Sequence, residues 1–467
     1  MNKSELTRYQ SVLIAAGFTL NATLISLPSV LTKYADGNFW FSYLLAYFYG
    51  IAVVYFISKT ASRFPGKDLF VSLIEWRAWA GKAVVLLYTG FYLFILIRDL
   101  RSTVDFIEIS LLNHTPLPMI MVLLIATTVI AAAGKPMTFA RMNELWQPFL
   151  LFIIVLLPVF LLGDIDFKYL FPVFEKGLLP PLQASWYLIP YLGEAIGLAF
   201  IANSQSWMPR AAVIGVTIGT GALFILQATV ILTLGTELPS RLLYPNYEMI
   251  RQISLTDFLD RFDLPIVGIW LPAMMVKISF SLYIVSHGLG RIFSPKREKL
   301  MVFVLGLISG ILALYLFRDA LQVFALNYVW VPFAVVLQLG LPLLMFMFVR
   351  PRKADKPGPK NEDKSQQNKD KQNKEQQNQD QQDQENQQQG EQQQQGNQEQ
   401  DQQNQHTQNN QEQQGQEQQN QDQEQQNQDQ QDQTQNKKGQ RKSKQKSHLP
   451  KNQAETTQNQ SGSNNNL

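Results

Sequence analysis

The chain has 467 residues, with 40 lysines and arginines against 37 aspartates and glutamates, and no cysteine. A net charge of +3, its basic residues scattered over short loops, leaves no footprint for nucleic acid, and the lack of thiols excludes disulfides and thiolate metal sites. The mean hydropathy of −0.07 averages two opposite segments: ten long apolar stretches between about Arg8 and Arg350, then a segment whose only large hydrophobic residues are leucines.

A bilayer core takes about 20 apolar residues of helix to cross. Lipid offers the backbone no hydrogen bonds, so only helices or closed barrels cross, and barrel strands would alternate over about 10 residues. The runs here are longer and unbroken, which predicts an all-α membrane protein with spans near 9–32, 39–61, 82–111, 117–134, 145–163, 184–205, 211–236, 265–290, 299–317 and 324–349. Lys3 and Arg8 precede the first run as in a signal peptide, but the run continues to Leu31 with no small-residue cleavage site, so it reads as the first span.

Basic residues in short loops set the orientation. One side carries Lys3, Arg8, Lys59, Arg63, Lys67, Arg77, Lys82, Lys135, Arg141 and Arg210, then Arg291 to Lys299 and Arg350 to Lys356; the other has about half as many, mixed with Asp164, Asp166, Glu175, Glu237 and Asp263. Both termini are therefore expected in the cytoplasm. Trp40, Trp146, Trp186 and Trp207 fall near span ends, where indoles anchor at the headgroups. In the longest external connection, Glu237 to Leu264, apolar Tyr247, Ile250, Ile253, Phe258 and Phe262 oppose Glu248, Arg251, Asp257 and Asp260, which predicts an amphipathic helix capping the bundle. Two domains follow: membrane residues 1–352 and a Gln/Asn-rich segment, 353–467, expected to be a disordered cytoplasmic tail ending in a basic cluster at Lys437–Lys446.

Ionisable groups inside lipid are costly and mark functional candidates. Glu194 lies midway along the sixth span and Lys277 midway along the eighth, so each must face the bundle interior, a water cavity or the other. The bland reading is an ion pair that fixes packing and adds little net stability; the functional one is a polar site for a small zwitterion or a coupled proton. The third span carries Arg98, Asp99, Arg101, Asp105 and Glu108 in its outer half. Asp105 and Glu108 read as an extension of the helix into water, and Asp99 and Arg101, deeper, as an external gate.

Helix breakers add a second signal. The first span runs Thr19-Leu20-Asn21-Ala22-Thr23 toward Pro28, and the sixth carries Pro190, Gly193 and Gly197 around Glu194. Proline removes a helix bond and glycine weakens the helix, so both spans are expected to be interrupted at mid-depth. Each is the first helix of a five-helix half, and breaks at corresponding places in two halves point to a transporter-type binding site. Helix ends exposed there would suit a carboxylate at the positive end and an ammonium at the carbonyls.

This 5+5 plan resembles the amino acid–polyamine–organocation superfamily, whose inverted repeat gives a LeuT-like bundle. A more specific resemblance, over about residues 5–350, is to the spore germination B-subunit family, the permease-like part of Ger-type germinant receptors. It rests on Leu24–Pro28, on Arg63-Phe64-Pro65-Gly66-Lys67-Asp68-Leu69, on Leu111–Pro116, and on Gly134 with Ala140-Arg141 and Pro148. The resemblance implies a nutrient sensor in the inner membrane of a bacterial spore, working with a larger A-type membrane subunit and a C-type lipoprotein. It places the ligand at Asn21, Ala22, Thr23, Phe91, Ile95, Leu192, Gly193, Glu194 and Lys277. Two features depart from the family: Asn21 and Thr23 stand where glycines are common, and the long tail is unusual. A nutrient, an amino acid in the first instance, would bind at the breaks and bias the partner subunits. The alternative is a secondary transporter coupling an amino acid to a proton through Glu194 or Lys277, and a third reading is a scaffold without ligand. No nucleophile with its base, metal cluster, phosphate loop or cofactor motif is evident in the sequence, which argues against an enzyme.

Overall fold

A computed structural model of the chain describes residues 6–134, 136–203, 205, 208–253, 263–293 and 298–350. Trp207, the Phe258–Phe262 half of the expected capping helix and the tail 353–467 lie outside the described residues. Among those described there is helix and no strand. Eight helical stretches are long and apolar enough to cross a membrane; the first and fourth spans are built from shorter helices.

Span 1 comprises Arg8–Leu20, Thr23–Ser26 and Pro28–Ala35; span 2 is Phe39–Ala61, span 3 Ala78–Ser110, span 4 Leu117–Ala132 and span 5 Pro136–Phe160. Span 6 is Leu179–Gly193, a 3-10 turn Glu194–Gly197 and Leu198–Ile201; span 7 is Met208–Leu234, span 8 Asp263–Phe293 and span 9 Glu298–Leu316. Span 10 is Ala320–Val335, a π turn Val336–Gly340 and Leu341–Phe348. Span 5 begins nine residues before the apolar run suggested. Its first two turns are amphipathic, so hydropathy reads them as loop although Asn143 is buried in the bundle.

The two halves pack alike. Span 1 lies on span 7 as span 6 lies on span 2; span 1 meets span 5 as span 6 meets span 10; span 8 packs on spans 4 and 5 as span 3 packs on spans 9 and 10. Spans 3 and 8 also pack on each other, as do spans 4 and 9. Exchanging the halves therefore preserves the contact pattern. Because five crossings separate the start of one half from the next, the second half enters the membrane from the opposite side. Span 6 sits at the centre, with 89% of its apolar window buried, against 28% for spans 5, 9 and 10, which turn Phe152, Ile311 and Phe333 outward. Those exposed apolar faces are the lipid surface.

The loop motif after span 2 has a local reason. Gly66 takes φ +79°, a conformation that disfavours side chains, and turns the chain so that Asp68 caps the helix Leu69–Trp76 by accepting from the Val71 N–H at 3.0 Å. The other Asp68 carboxylate oxygen faces His287 Nε2 at 3.3 Å and Arg291 at 3.6 Å, tying the cap to the end of span 8. On the far side, Pro245–Arg251 forms the first part of the expected capping helix. Tyr247 and Ile250 are buried, and Arg251 is exposed beside Glu248. Trp40 and Trp186 are partly exposed at span ends.

Candidate ligand site at the helix breaks

Four charged side chains meet at the bundle centre. Arg98 Nη2 lies 2.5 Å from Asp99 Oδ1 and 2.7 Å from Glu194 Oε1, and Lys277 Nζ lies 2.6 Å from Glu194 Oε2 and 2.8 Å from Asp99 Oδ2. Each cation bridges both acids, so the quartet closes into an alternating square of net charge zero, with every member at most 2% exposed. The edges are unequal. Arg98–Asp99 and Lys277–Glu194 have hydrogen-bond geometry; the other two edges are charge contacts without it. Arg98 Nη1 has no hydrogen-bond partner, and the guanidinium lies 4.5 Å over the Tyr191 ring. Removing one partner from such a buried set costs about 3–5 kcal/mol, because it strands an uncompensated charge.

The break in span 6 puts Glu194 there. At Glu194 the helix tightens, and its N–H bonds the Tyr191 carbonyl three residues back rather than that of Pro190. The released Pro190 carbonyl accepts from Gln338 Nε2 at 2.7 Å, and the Glu194 carbonyl accepts from the Tyr92 hydroxyl at 2.8 Å. A side chain at Gly193 or Gly197 would have to displace a neighbour: a Cβ at the first would meet the Gln338 amide, and one at the second would stand 2.6 Å from the Tyr92 hydroxyl. Pro190 lies within the helix, one turn before the break.

Span 1 is interrupted more gently. Asn21 and Ala22 keep right-handed helical dihedrals, and Asn21 N–H still reaches the Gly17 carbonyl at 3.0 Å. Pro28 opens the last segment, where its missing N–H costs nothing. Carbonyls here are also taken by side chains: Thr19 O by Thr23, Asn21 O by Trp270 and Leu24 O by Asn246. Asn21 Nδ2 donates to Gln147 Oε1 at 3.2 Å and to the Ala273 carbonyl at 2.9 Å, one helical turn of span 8 from Lys277. Asn21 Oδ1, Asn143 Nδ2 and Gln147 Nε2 are buried without hydrogen-bond partners. Above this break, toward Trp270 and Phe106, lies an apolar cavity of about 30 Å³.

The structure therefore brings together Glu194, Lys277 and Asp99, and sets Asn21, Ala22 and Thr23 close by on the span 1 side. Gly193 adjoins Glu194 at the break itself, and the remaining three are apolar side chains packed within the bundle. Phe91 stacks on Trp330 of span 10 at 5.1 Å, and Leu192 packs toward Gly50 of span 2; Ile95 is buried in span 3. Asp99 and Arg101, read together as a gate, part company. Arg101 bonds Asp105 at 2.8 Å and the carbonyls of Phe317 and Arg318 at 2.6 and 3.0 Å, stitching span 3 to the start of the span 9–10 connection. Asp105 is thereby buried, which corrects its reading as a helix extension into water; Arg101 draws it inward. Arg98, Gln147 and Gln338 were missed as site residues. Arg98 stands next to Asp99, and adjacent helix positions ordinarily face apart. Each glutamine is a lone polar residue in an apolar stretch, a signal that marks it as a candidate but not which break it serves.

A profile of the family described as spore germination protein matches residues 5–346. The chain belongs to the spore germination protein family. It is 31% identical over 344 residues to YfkT of Bacillus subtilis strain 168, named as a spore germination protein, covering 73% of this chain and 95% of that one. It is 24% identical to spore germination protein KB of the same organism, over 78% of this chain and 99% of that one. A second profile, the transmembrane domain of a vacuolar membrane protease, matches residues 269–465, less than half of the chain and mostly its Gln/Asn-rich segment. Among solved structures, the chain superposes on Mhp1, a nucleobase-cation-symport-1 transporter, with a TM-score of 0.55 at 16% identity, covering 73% of this chain and 78% of Mhp1. A sodium-coupled sialic acid symporter gives a TM-score of 0.55 at 14% identity, covering 74% and 80%. The protein is thus a multi-pass membrane protein with the LeuT-like 5+5 inverted-repeat fold that its contact pattern implies.

Proposed function

We propose that this protein is the nutrient-sensing subunit of a spore germinant receptor, that its ligand is an amino acid, and that it binds at the helix breaks beside the Arg98–Asp99–Glu194–Lys277 quartet. The observation that carries this reading is the quartet itself. A buried alternating square of zero net charge accepts a net-neutral zwitterion without stranding charge in lipid: the ligand carboxylate engages Arg98, whose Nη1 lacks a partner, and the ammonium engages an acid across one of the two edges that lack hydrogen-bond geometry. A singly charged ligand would leave one charge unbalanced, at a cost of several kcal/mol. Binding would favour the conformation that holds the ligand better and so bias the A-type and C-type subunits, in the spore inner membrane with both termini inside. The family gives the process; the amino acid and the partners are our reading. Membership of the spore germination protein family is what favours sensing over transport.

The second reading, a proton-coupled amino acid transporter, is favoured by the fold shared with symporters. Radiolabelled amino acid binding and uptake by the purified protein in liposomes, with and without an inward proton gradient, separates the two. Saturable binding without uptake is expected; concentrative uptake driven by the gradient would overturn the sensor reading.

A further inference from the structure

Each break is propped by a glutamine from the fifth helix of its own half. Gln147 of span 5 accepts from Asn21 at the span 1 break, and Gln338 of span 10 donates to the Pro190 carbonyl at the span 6 break. The second prop is the tighter. A Cβ on Gly17 would stand 3.0 Å from Gln147 Oε1, but one on Gly193 would stand 2.2 Å from Gln338 Oε1 and 2.5 Å from its Cδ. Gln338 is fully buried and sits in the middle of the π turn Val336–Gly340. A π turn widens the helix by one residue and is found mostly where function requires it. Here Tyr88 on span 3 donates to the Leu337 carbonyl of the π turn at 3.1 Å, one turn from Tyr92, which holds the Glu194 carbonyl. Break and π turn are thus tied twice, through Gln338 directly and through the Tyr88–Tyr92 ladder.

From the π turn, the segment Leu341–Phe348 runs to the membrane face that carries Arg63. There Arg63 Nη1 donates to the Phe346 and Val349 carbonyls at 2.7 and 2.8 Å, and its guanidinium lies 4.6 Å over the Phe346 ring. Span 2 supplies the other anchor as well: the Tyr49 hydroxyl donates to Gln338 Oε1 at 3.2 Å. Tyr49 in span 2 and Arg63 in the turn that follows it are 14 residues apart, so span 10 is held at both ends of its lower half.

We propose that Gln338 is the positioning residue that couples the span 6 break to the Arg63 face, so that a change in the break moves the end of span 10. Gln338 holds the helix open at Pro190, and that opening lets Glu194 face Arg98 and Lys277. Any rearrangement of the break on ligand binding must shift Gln338, because Gly193 and the Gln338 amide are already in contact. The π turn is the joint at which span 10 takes up that shift, and the Arg63 contacts are where it is delivered.

The inference rests on reading the span 6 break as the ligand site, but its test needs no ligand, so the two can fail separately. The chain has no native cysteine, which permits site-specific spin labels at Arg350→Cys and at Trp79→Cys, both exposed, in the full-length protein in lipid nanodiscs. Gly193→Ala forces its new methyl and Gln338 apart from 2.2 Å toward an ordinary contact of about 3.5 Å. The expected result is a shift of about 1–2 Å, comparable to that displacement, in the principal 79–350 distance, reversed in Gly193→Ala/Gln338→Ser, where the shorter side chain makes room. Gln338→Leu, which keeps the bulk and loses both hydrogen bonds, is expected to broaden the same distribution, and it serves as the test should Gly193→Ala fail to accumulate. An unchanged distance in Gly193→Ala and in Gln338→Leu, or a shift that Gln338→Ser does not reverse, would overturn the coupling.

Discussion

The two helix breaks occupy corresponding places in the two halves and are built from opposite chemistry. The span 6 break is surrounded by four charges that satisfy one another, and its released carbonyls are capped by Tyr92 and Gln338. The span 1 break is surrounded by neutral amides, and Asn21, Asn143, Gln147 and Asn246 each keep a buried polar atom unused. Charge inside lipid must be balanced where it stands, so the span 6 side is stiff and selective for net charge; neutral amides can exchange partners at about 1 kcal/mol each, so the span 1 side is the adaptable one. A fold with two-fold packing thus carries an asymmetric site.

The strongest way to break this contrast is to unbalance the quartet. Lys277→Met leaves two acids with one cation, and is expected to destabilise the protein by about 3–5 kcal/mol and to abolish the nutrient response. Thermal unfolding in lipid and a germination dose–response curve check both, and a wild-type result in both would remove the quartet from the site. Glu194→Gln alone should lose the response similarly. The double variant Lys277→Met/Glu194→Gln restores neutrality, so it should be more stable than the sum of the single losses predicts; strict additivity would mean that the four charges do not act as a unit.

Smaller effects are expected on the neutral side. Gln147→Leu removes one hydrogen bond and Asn21→Leu two from a set already under-used, at about 1 kcal/mol per bond, and both should shift the nutrient dose–response without abolishing it. If either matched Lys277→Met, the distinction between stiff and adaptable breaks would fail. Smaller again is the pH effect at Asp68. Burial pushes its carboxyl up, but the His287 hydrogen bond and charge, the Val71 N–H and Arg291 outweigh that and hold it below the usual carboxylate range. A depressed carboxyl stabilises the folded form above its unfolded pKa and loses that contribution as pH falls through the folded value. The tie between the loop and span 8 should therefore persist through neutral pH down past about 3.9 and weaken only in stronger acid. Asp68→Asn should abolish that acid-dependent step in melting temperature measured between pH 7 and pH 3. Truncation after Arg352 is expected to have the least effect: a protein that accumulates normally and responds to nutrient as the full chain does.

The spans were legible because lipid imposes length and apolarity on every crossing helix, and Glu194 and Lys277 were legible because charge stands out in such runs. Where hydropathy and helix part company the boundary moved: the amphipathic start of span 5 hid Asn143. The partners of the two buried charges were harder. Arg98 reaches Glu194 only because a long side chain folds across its own helix, and spacing along one helix carries no such information. Gln338 was hidden for another reason. Its role depends on a π turn in one span meeting a 3-10 turn in another, and neither turn has a strong local sequence signature.

The central claim is that a neutral, closed quartet selects a net-neutral zwitterion. Equilibrium binding to the full-length protein in liposomes tests it directly, with the twenty amino acids compared against their methyl esters, which are cations, and their N-acetyl derivatives, which are anions. Saturable binding of one or more net-neutral zwitterions is expected, with at least about tenfold weaker binding of both derivatives of the same compound, a difference of about 1.4 kcal/mol or more. Equal binding of an ester or an N-acetyl derivative would contradict it.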